Sequence, residues 1–159
     1  MKPAEYSEKS IASLLPERPA RSNKGTYGKI LCAAGSYGMS GAAYLSAKAA
    51  YRTGAGLVRI LTPEENRVIL QSTLPEAVLS VYDAEAPDAF FLRQNAEWAD
   101  VLVIGPGLGR SEGAKAVLVG LLQSLGKTSN RPVILDADAL NLLSHSDEGY
   151  DLSSCVLTP

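Results

Sequence analysis

Six short apolar runs recur along the chain, centred on Ile30-Leu31-Cys32-Ala33, Leu57-Val58, Ala77-Val78-Leu79, Val101-Leu102-Val103-Ile104, Val133-Ile134-Leu135 and Cys155-Val156-Leu157. They do not follow the strict apolar–polar alternation of strands with one wet face. Runs of this kind suit strands buried on both sides. The stretches between them carry helical spacing. Together they predict a mostly parallel sheet covered on both faces, a three-layer α/β/α sandwich. The strands are expected at residues 29–35, 57–61, 77–82, 101–104, 132–136 and 154–158. Helices are expected at 7–14, 41–53, 62–74, 87–97, 111–125 and 138–143.

The helix starts follow from capping chemistry. Ser7, Ser40 and Asp138 are placed to cap three of them. Thr62-Pro63-Glu64-Glu65 reads as a further start, with a threonine cap, proline at the first helical position and glutamate three after the cap. Gly54 and Gly56 end the alanine-rich helix 41–53.

In open parallel sheets, ligands bind beyond the carboxyl ends of the strands. Three segments occupy such positions: 35–41, 105–111 and 136–141. The second contains Gly105-Pro106-Gly107-Leu108-Gly109 between an apolar run and a helix. Glycines let backbone approach a ligand closely, and a helix N-terminus offers free N–H groups to an anion. A dinucleotide fingerprint would need a glycine where Arg110 stands. The loop therefore predicts close approach to an anionic group without specifying a nicotinamide cofactor. Gly35-Ser36-Tyr37-Gly38-Met39-Ser40-Gly41 repeats the pattern. Asp136 and Asp138 could hold magnesium through water or bond a ribose; a turn aspartate and a helix cap account for them equally. Asn141 would face the same cleft. Arg21, Lys24 and Lys29 read either as phosphate contacts or as a solvated basic loop. Trp98, Phe90 and Phe91 read as core or interface residues.

Composition narrows the class. The chain has 159 residues, enough for one domain with a core. A net charge of −2 leaves no electrostatic footprint for nucleic acid. No apolar run is long enough to cross a bilayer, and residues 1–20 lack a signal-peptide core. Cys32 and Cys155 read as free thiols in a reducing, cytoplasmic setting. His145, the only histidine, reads as a solvated loop residue.

Five motifs stand in order: Lys24-Gly25-x-x-Gly28-Lys29, Gly35-Ser36-x-x-Met39-x-Gly41-Ala42-Ala43, Gly54-Ala55-Gly56-Leu57-Val58, Gly105-Pro106-Gly107-Leu108-Gly109 and Asp136-Ala137-Asp138-Ala139-Leu140-Asn141. From about Arg21 to Pro159 the chain resembles the ADP/ATP-dependent NAD(P)H-hydrate dehydratases, a ribokinase-like family. Asn23 departs from the histidine often found there in the family. The resemblance implies repair of hydrated NADH and NADPH. The hydroxyl is phosphorylated from ADP or ATP with magnesium, and phosphate is then eliminated. It also implies that Ala42, Gly107 and Gly109 contact the hydrated dinucleotide, with Lys24, Ser36, Gly41, Asp136, Asp138 and Asn141 in support.

The family's His-Pro-Gly-Glu stretch, nucleotide-phosphate loop and Gly-Thr-Gly-Asp segment do not occur in these residues. The expectation is the N-terminal portion of a single ribokinase-like domain, residues 1–159, with no catalytic residue of its own, truncated after about six strands. Its expected partners are the dinucleotide substrate, the missing C-terminal part of the domain and further copies in a homotetramer, with no nucleic acid or membrane. Two other readings are a kinase of a small hydroxylated vitamin precursor and a non-catalytic nucleotide-binding module.

Overall fold

The structure, a computed structural model, describes residues 19–125, 131–146 and 149–159. The helix expected at 7–14 lies outside them. The elements run β1 (Lys29–Ala33), α1 (Ser40–Arg52), β2 (Leu57–Pro63), α2 (Arg67–Thr73), β3 (Val78–Tyr82), α3 (Ala89–Trp98), β4 (Val101–Ile104), α4 (Glu112–Leu125), β5 (Val133–Asp136), α5 (Asp138–Ser144) and β6 (Cys155–Thr158).

All six strands form one sheet in the order β3-β2-β1-β4-β5-β6. Every neighbouring pair is parallel. The order reverses between β1 and β4. The edge beyond the carboxyl ends of the strands at such a switch point is the usual ligand position in sheets of this kind.

Helices pack on both faces. On one, Ala43 and Ala47 of α1 and Leu70 of α2 cover Cys32, Val58 and Ile60. Alanine at these positions lets α1 lie close to the strands. On the other, Leu92 and Ala96 of α3 and Val117, Leu118 and Leu121 of α4 cover Leu31, Leu61, Leu102 and Leu135. Trp98 is half-buried beneath the Arg59 guanidinium, 4.0 Å from its ring centre, and Arg59 also donates to Asn95. Phe91 packs against the core and Phe90 is exposed.

The covering is uneven. Val103, Ile134 and Val156 are register partners on the face that α1 and α2 cover further across. Val156 is 57% exposed, and nothing among the described residues covers it. Fully parallel sheets normally bury both faces.

Two expected helix starts are corrected. Thr62 and Pro63 belong to β2, paired with Val81 and Tyr82, because strand pairing continues through them. Thr62 is buried and its hydroxyl accepts from Asn66 Nδ2, so it caps nothing. A 3-10 turn at Glu64–Asn66 intervenes before α2. In α1, Ser40 is the first helical residue; Met39 takes the cap position and no side chain caps the helix.

The two cysteines are free but unequal. Burial pushes the Cys32 thiol up to about 12. Its neutral form is thus favoured by folding. Stability from this group is full below the ordinary thiol range and is lost as pH rises from about 9. A thiol-alkylating reagent applied to the native chain should label half-buried Cys155 and spare Cys32. Mass spectrometry reads the result, and equal labelling would contradict the packing of β1 under α1.

Candidate functional site

The three expected loops do meet at one sheet edge, because β1, β4 and β5 are adjacent and parallel. Backbone hydrogen bonds join the first two. Gly105 N–H donates to the Ala33 carbonyl at 3.0 Å, and Gly35 N–H donates to the Pro106 carbonyl at 2.9 Å. Asn66, 2% exposed, ties β2 to the same region by donating to Thr62 Oγ1 and to the Ser36 carbonyl.

Two glycines are required by close approach. Gly105 has φ +124°, and a Cβ there would lie 1.9 Å from the Asp136 carbonyl oxygen. Gly107 has φ +59°, and a Cβ there would lie 2.7 Å from Ala42 Cβ. The second contact places the start of α1 directly against the Gly105–Gly109 loop. The first turn of α1 carries no side-chain cap, which suits an N-terminus facing a ligand.

The acidic loop closes the other side. Asp138 Oδ2 accepts from Gly109 N–H at 2.9 Å, and Oδ1 lies 3.5 Å from Arg110 Nε. Asp138 is the first residue of α5, preceded by Ala137 at φ 44°, and so is not the expected cap. Its carboxylate turns to the neighbouring glycine loop instead. Ala137 is the only non-glycine among the described residues with positive φ. Such a conformation costs about 1–3 kcal/mol and is held by its surroundings. Asp136 Oδ1 accepts from Thr158 Oγ1 at 2.7 Å, linking the loop to β6.

Ser36, Gly41, Ala42, Gly107, Gly109, Asp136 and Asp138 therefore lie in loops, a strand end and helix starts gathered along one edge. Two expected supporters do not join them. Lys24 precedes β1 and its carbonyl packs against Gly56, at the opposite end of the sheet. Lys29, the first residue of β1, shares that end. The five residues of β1, roughly 16 Å long, separate them from the glycine loop. Asn141 lines a separate groove with Arg110, Glu112, Lys115 and His145. His145 is exposed at the end of α5.

The carboxylates also bear on magnesium. Both Asp138 oxygens have protein partners, and one Asp136 oxygen has Thr158. Among the described residues no three His, Cys, Asp or Glu side chains form a metal-binding group. These side chains do not fit direct ligation of a resident ion.

A second cleft, missed by motif reading, adjoins the cradle between the ends of β1, β2 and β3 and the segment that runs from β4 into α4. Its volume is about 250 Å³, and its lining includes Ser36, Tyr37, Glu65, Tyr82, Gly109 and Arg110. Burial, and then the nearby Glu65 carboxylate, raise the Tyr82 phenol above its ordinary range. Another cavity, about 520 Å³, lies by the starts of β5 and β6, away from the glycine loops.

A doubly wound parallel sheet with a glycine cradle at its switch point defines the class: a ribokinase-like α/β protein. A ribokinase-like superfamily protein from Enterococcus faecalis superposes with a TM-score of 0.82 at 28% identity, over 99% of this chain and 56% of that one. A family model described as NAD(P)H-hydrate dehydratase matches residues 30–159, and the chain belongs to that family. The bifunctional NAD(P)H-hydrate repair enzyme of Coxiella burnetii is 40% identical over 151 residues, covering 95% of this chain and 29% of the enzyme. The ADP/ATP-dependent NAD(P)H-hydrate dehydratase of Bacillus subtilis, co-crystallised with ATP and magnesium, superposes with a TM-score of 0.72 at 33% identity, over 96% of this chain and 51% of that one. The chain thus spans about half the length of these solved relatives and less of the bifunctional enzyme.

Proposed function

We propose that this chain is the substrate-gripping portion of an ADP- or ATP-dependent NAD(P)H-hydrate dehydratase. Hydrated NADH or NADPH lies in the cradle against Ala42, Gly107 and Gly109, flanked by Ser36, Gly41, Asp136 and Asp138. A phosphoryl group passes from the nucleotide to the ring hydroxyl. The carbon–oxygen bond then breaks, phosphate leaves, and a proton is lost from the adjacent carbon to restore the dihydronicotinamide. The Ala42–Gly107 contact carries the reading: residues from two separate motifs, both expected to touch the dinucleotide, pack directly against each other.

The catalytic base and the main nucleotide site belong to further polypeptide of the same domain. Exposed Val156 on β6, in register with Ile134, supports docking of that polypeptide beside β6. Magnesium belongs with the nucleotide phosphates there, which agrees with the engaged state of Asp138. Self-association into a tetramer is supported by exposed Leu45 on α1 and Val68 and Ile69 on α2. Cytoplasmic location is supported by the two free thiols.

Hydrated NADH, ADP or ATP and magnesium are incubated with the purified chain, and near-ultraviolet absorbance of the dihydronicotinamide is followed. The chain alone should give no turnover. Fusion to the remaining part of the B. subtilis relative should restore it. Turnover by the chain alone would refute the division of labour. A folded fusion that binds nucleotide but never dehydrates would refute the substrate.

A further inference from the structure

Asn66 stands just before α2, where an asparagine commonly caps a helix with its side-chain oxygen. It does not do so here. Its backbone is already helical, at φ −84° and ψ −11°, and its side chain makes no cap bond. The amide turns inward instead, and the residue is 2% exposed. Nδ2 donates to Thr62 Oγ1 at 2.9 Å and to the Ser36 carbonyl at 3.3 Å. A carbonyl only accepts, so the amide nitrogen, not its oxygen, must face Ser36. A buried amide is costly unless it bonds, and these two bonds use both of its N–H groups.

The bond to Ser36 reaches the cradle in two directions. The same carbonyl accepts from Met39 N–H at 2.8 Å, closing the turn that leads into α1. Met39 in turn packs on Gly107: its Cβ and carbonyl oxygen lie 3.2 and 3.3 Å from where a Gly107 Cβ would stand. Ser36 Oγ lies 3.3 Å from the equivalent point on Gly109. Asn66 also walls in Gly35, whose missing Cβ would fall 3.1 Å from Nδ2. Backbone bonds tie the first glycine loop to the second, and Asn66 adds a side-chain tie to the end of β2.

We propose that Asn66 is a positioning residue for the cradle: acting through the Ser36 carbonyl, its buried amide sets where Ser36 and Met39 lie against Gly109 and Gly107. Its effect on turnover rests on the dehydratase reading; its effect on the loop does not.

Two shape-conserving variants separate positioning from plain stability. In Asn66→Asp the carboxylate can still accept from the Thr62 hydroxyl, which rotates to donate, but it meets the Ser36 carbonyl as a second acceptor. Thr62→Val removes the other bond and leaves the one to Ser36. Both should lower the urea midpoint. In the fusion described above, Asn66→Asp should raise KM for hydrated NADH about tenfold, the effect of one lost hydrogen bond, with kcat and KM for ADP unchanged. Thr62→Val should change none of the three. In the 159-residue chain, amide NMR should show Met39 and Gly109 shifted by Asn66→Asp and unmoved by Thr62→Val. Asn66→Ala, which introduces no charge, should shift the same amides and raise the same KM, and so keeps the test decisive if the aspartate disturbs folding. Equal KM changes in the Asn66 and Thr62 variants, or none in either, would overturn the positioning role. Unmoved Met39 and Gly109 amides in both Asn66 variants would overturn it whatever the fusion does. A fusion inactive with Asn66 intact would count against the dehydratase reading alone, and the amide shifts would still decide the role of Asn66.

Discussion

Gly105→Ala should lower the urea midpoint by the equivalent of about 3–5 kcal/mol, the sum of backbone strain at positive φ and forced overpacking. At φ +124° an alanine is strained before any neighbour is considered. Its Cβ would then lie 1.9 Å from the Asp136 carbonyl oxygen and 2.8 Å from Ala139 Cβ. One obstacle is backbone and the other a buried residue, so neither yields cheaply. A loss of that size is a large part of the roughly 5–15 kcal/mol that holds a domain together. Gly41→Ala is the control. No atom lies within 4 Å of its Cβ position, and it is helical and exposed, so stability should rise by up to about 1 kcal/mol. Equal midpoints for the two variants would show that β4 and the acidic loop are not packed as described.

Asp138→Ala should cost about 1.5–3 kcal/mol, the range for a hydrogen bond to a charged group left without its acceptor. The Asp138 side chain is 16% exposed and accepts from Gly109 N–H at 2.9 Å. The Arg110 contact adds little, since that side chain is 65% exposed. Hydrogen exchange offers the sharper readout. The Gly109 amide should exchange about ten- to a hundredfold faster in Asp138→Ala, in line with that energy. Asp138→Asn keeps an oxygen acceptor and should recover most of the protection. A Gly109 amide equally protected in all three chains would remove Asp138 from the cradle.

Much of the architecture was legible because apolar runs and helical spacing are local signals. The strands at 101–104 and the helices on either side of it emerge within a residue or two of expectation. Strand order was not legible, since nothing local dictates that β1 pairs with both β2 and β4. That pairing creates the switch point, so the site's place depended on the least local information. Thr62-Pro63-Glu64-Glu65 shows the converse: a good local helix start overruled by pairing with Val81 and Tyr82. Lys24 misled through closeness in sequence, because a strand carries the chain from one end of the sheet to the other. Glu65 was read only as a helix-start glutamate and Tyr82 only as a strand end; their place in the cleft beside the glycine loops became visible when β2 and β3 paired. Ala42, Gly107 and Gly109 were named by resemblance; that Ala42 packs against Gly107 is read from the structure.

The bonds from Gly35 to Pro106 and from Gly105 to Ala33 have a kinetic consequence. Two loops that share backbone hydrogen bonds cannot open one at a time. The edge is already ordered before any ligand arrives, so little entropy remains to be lost on binding there.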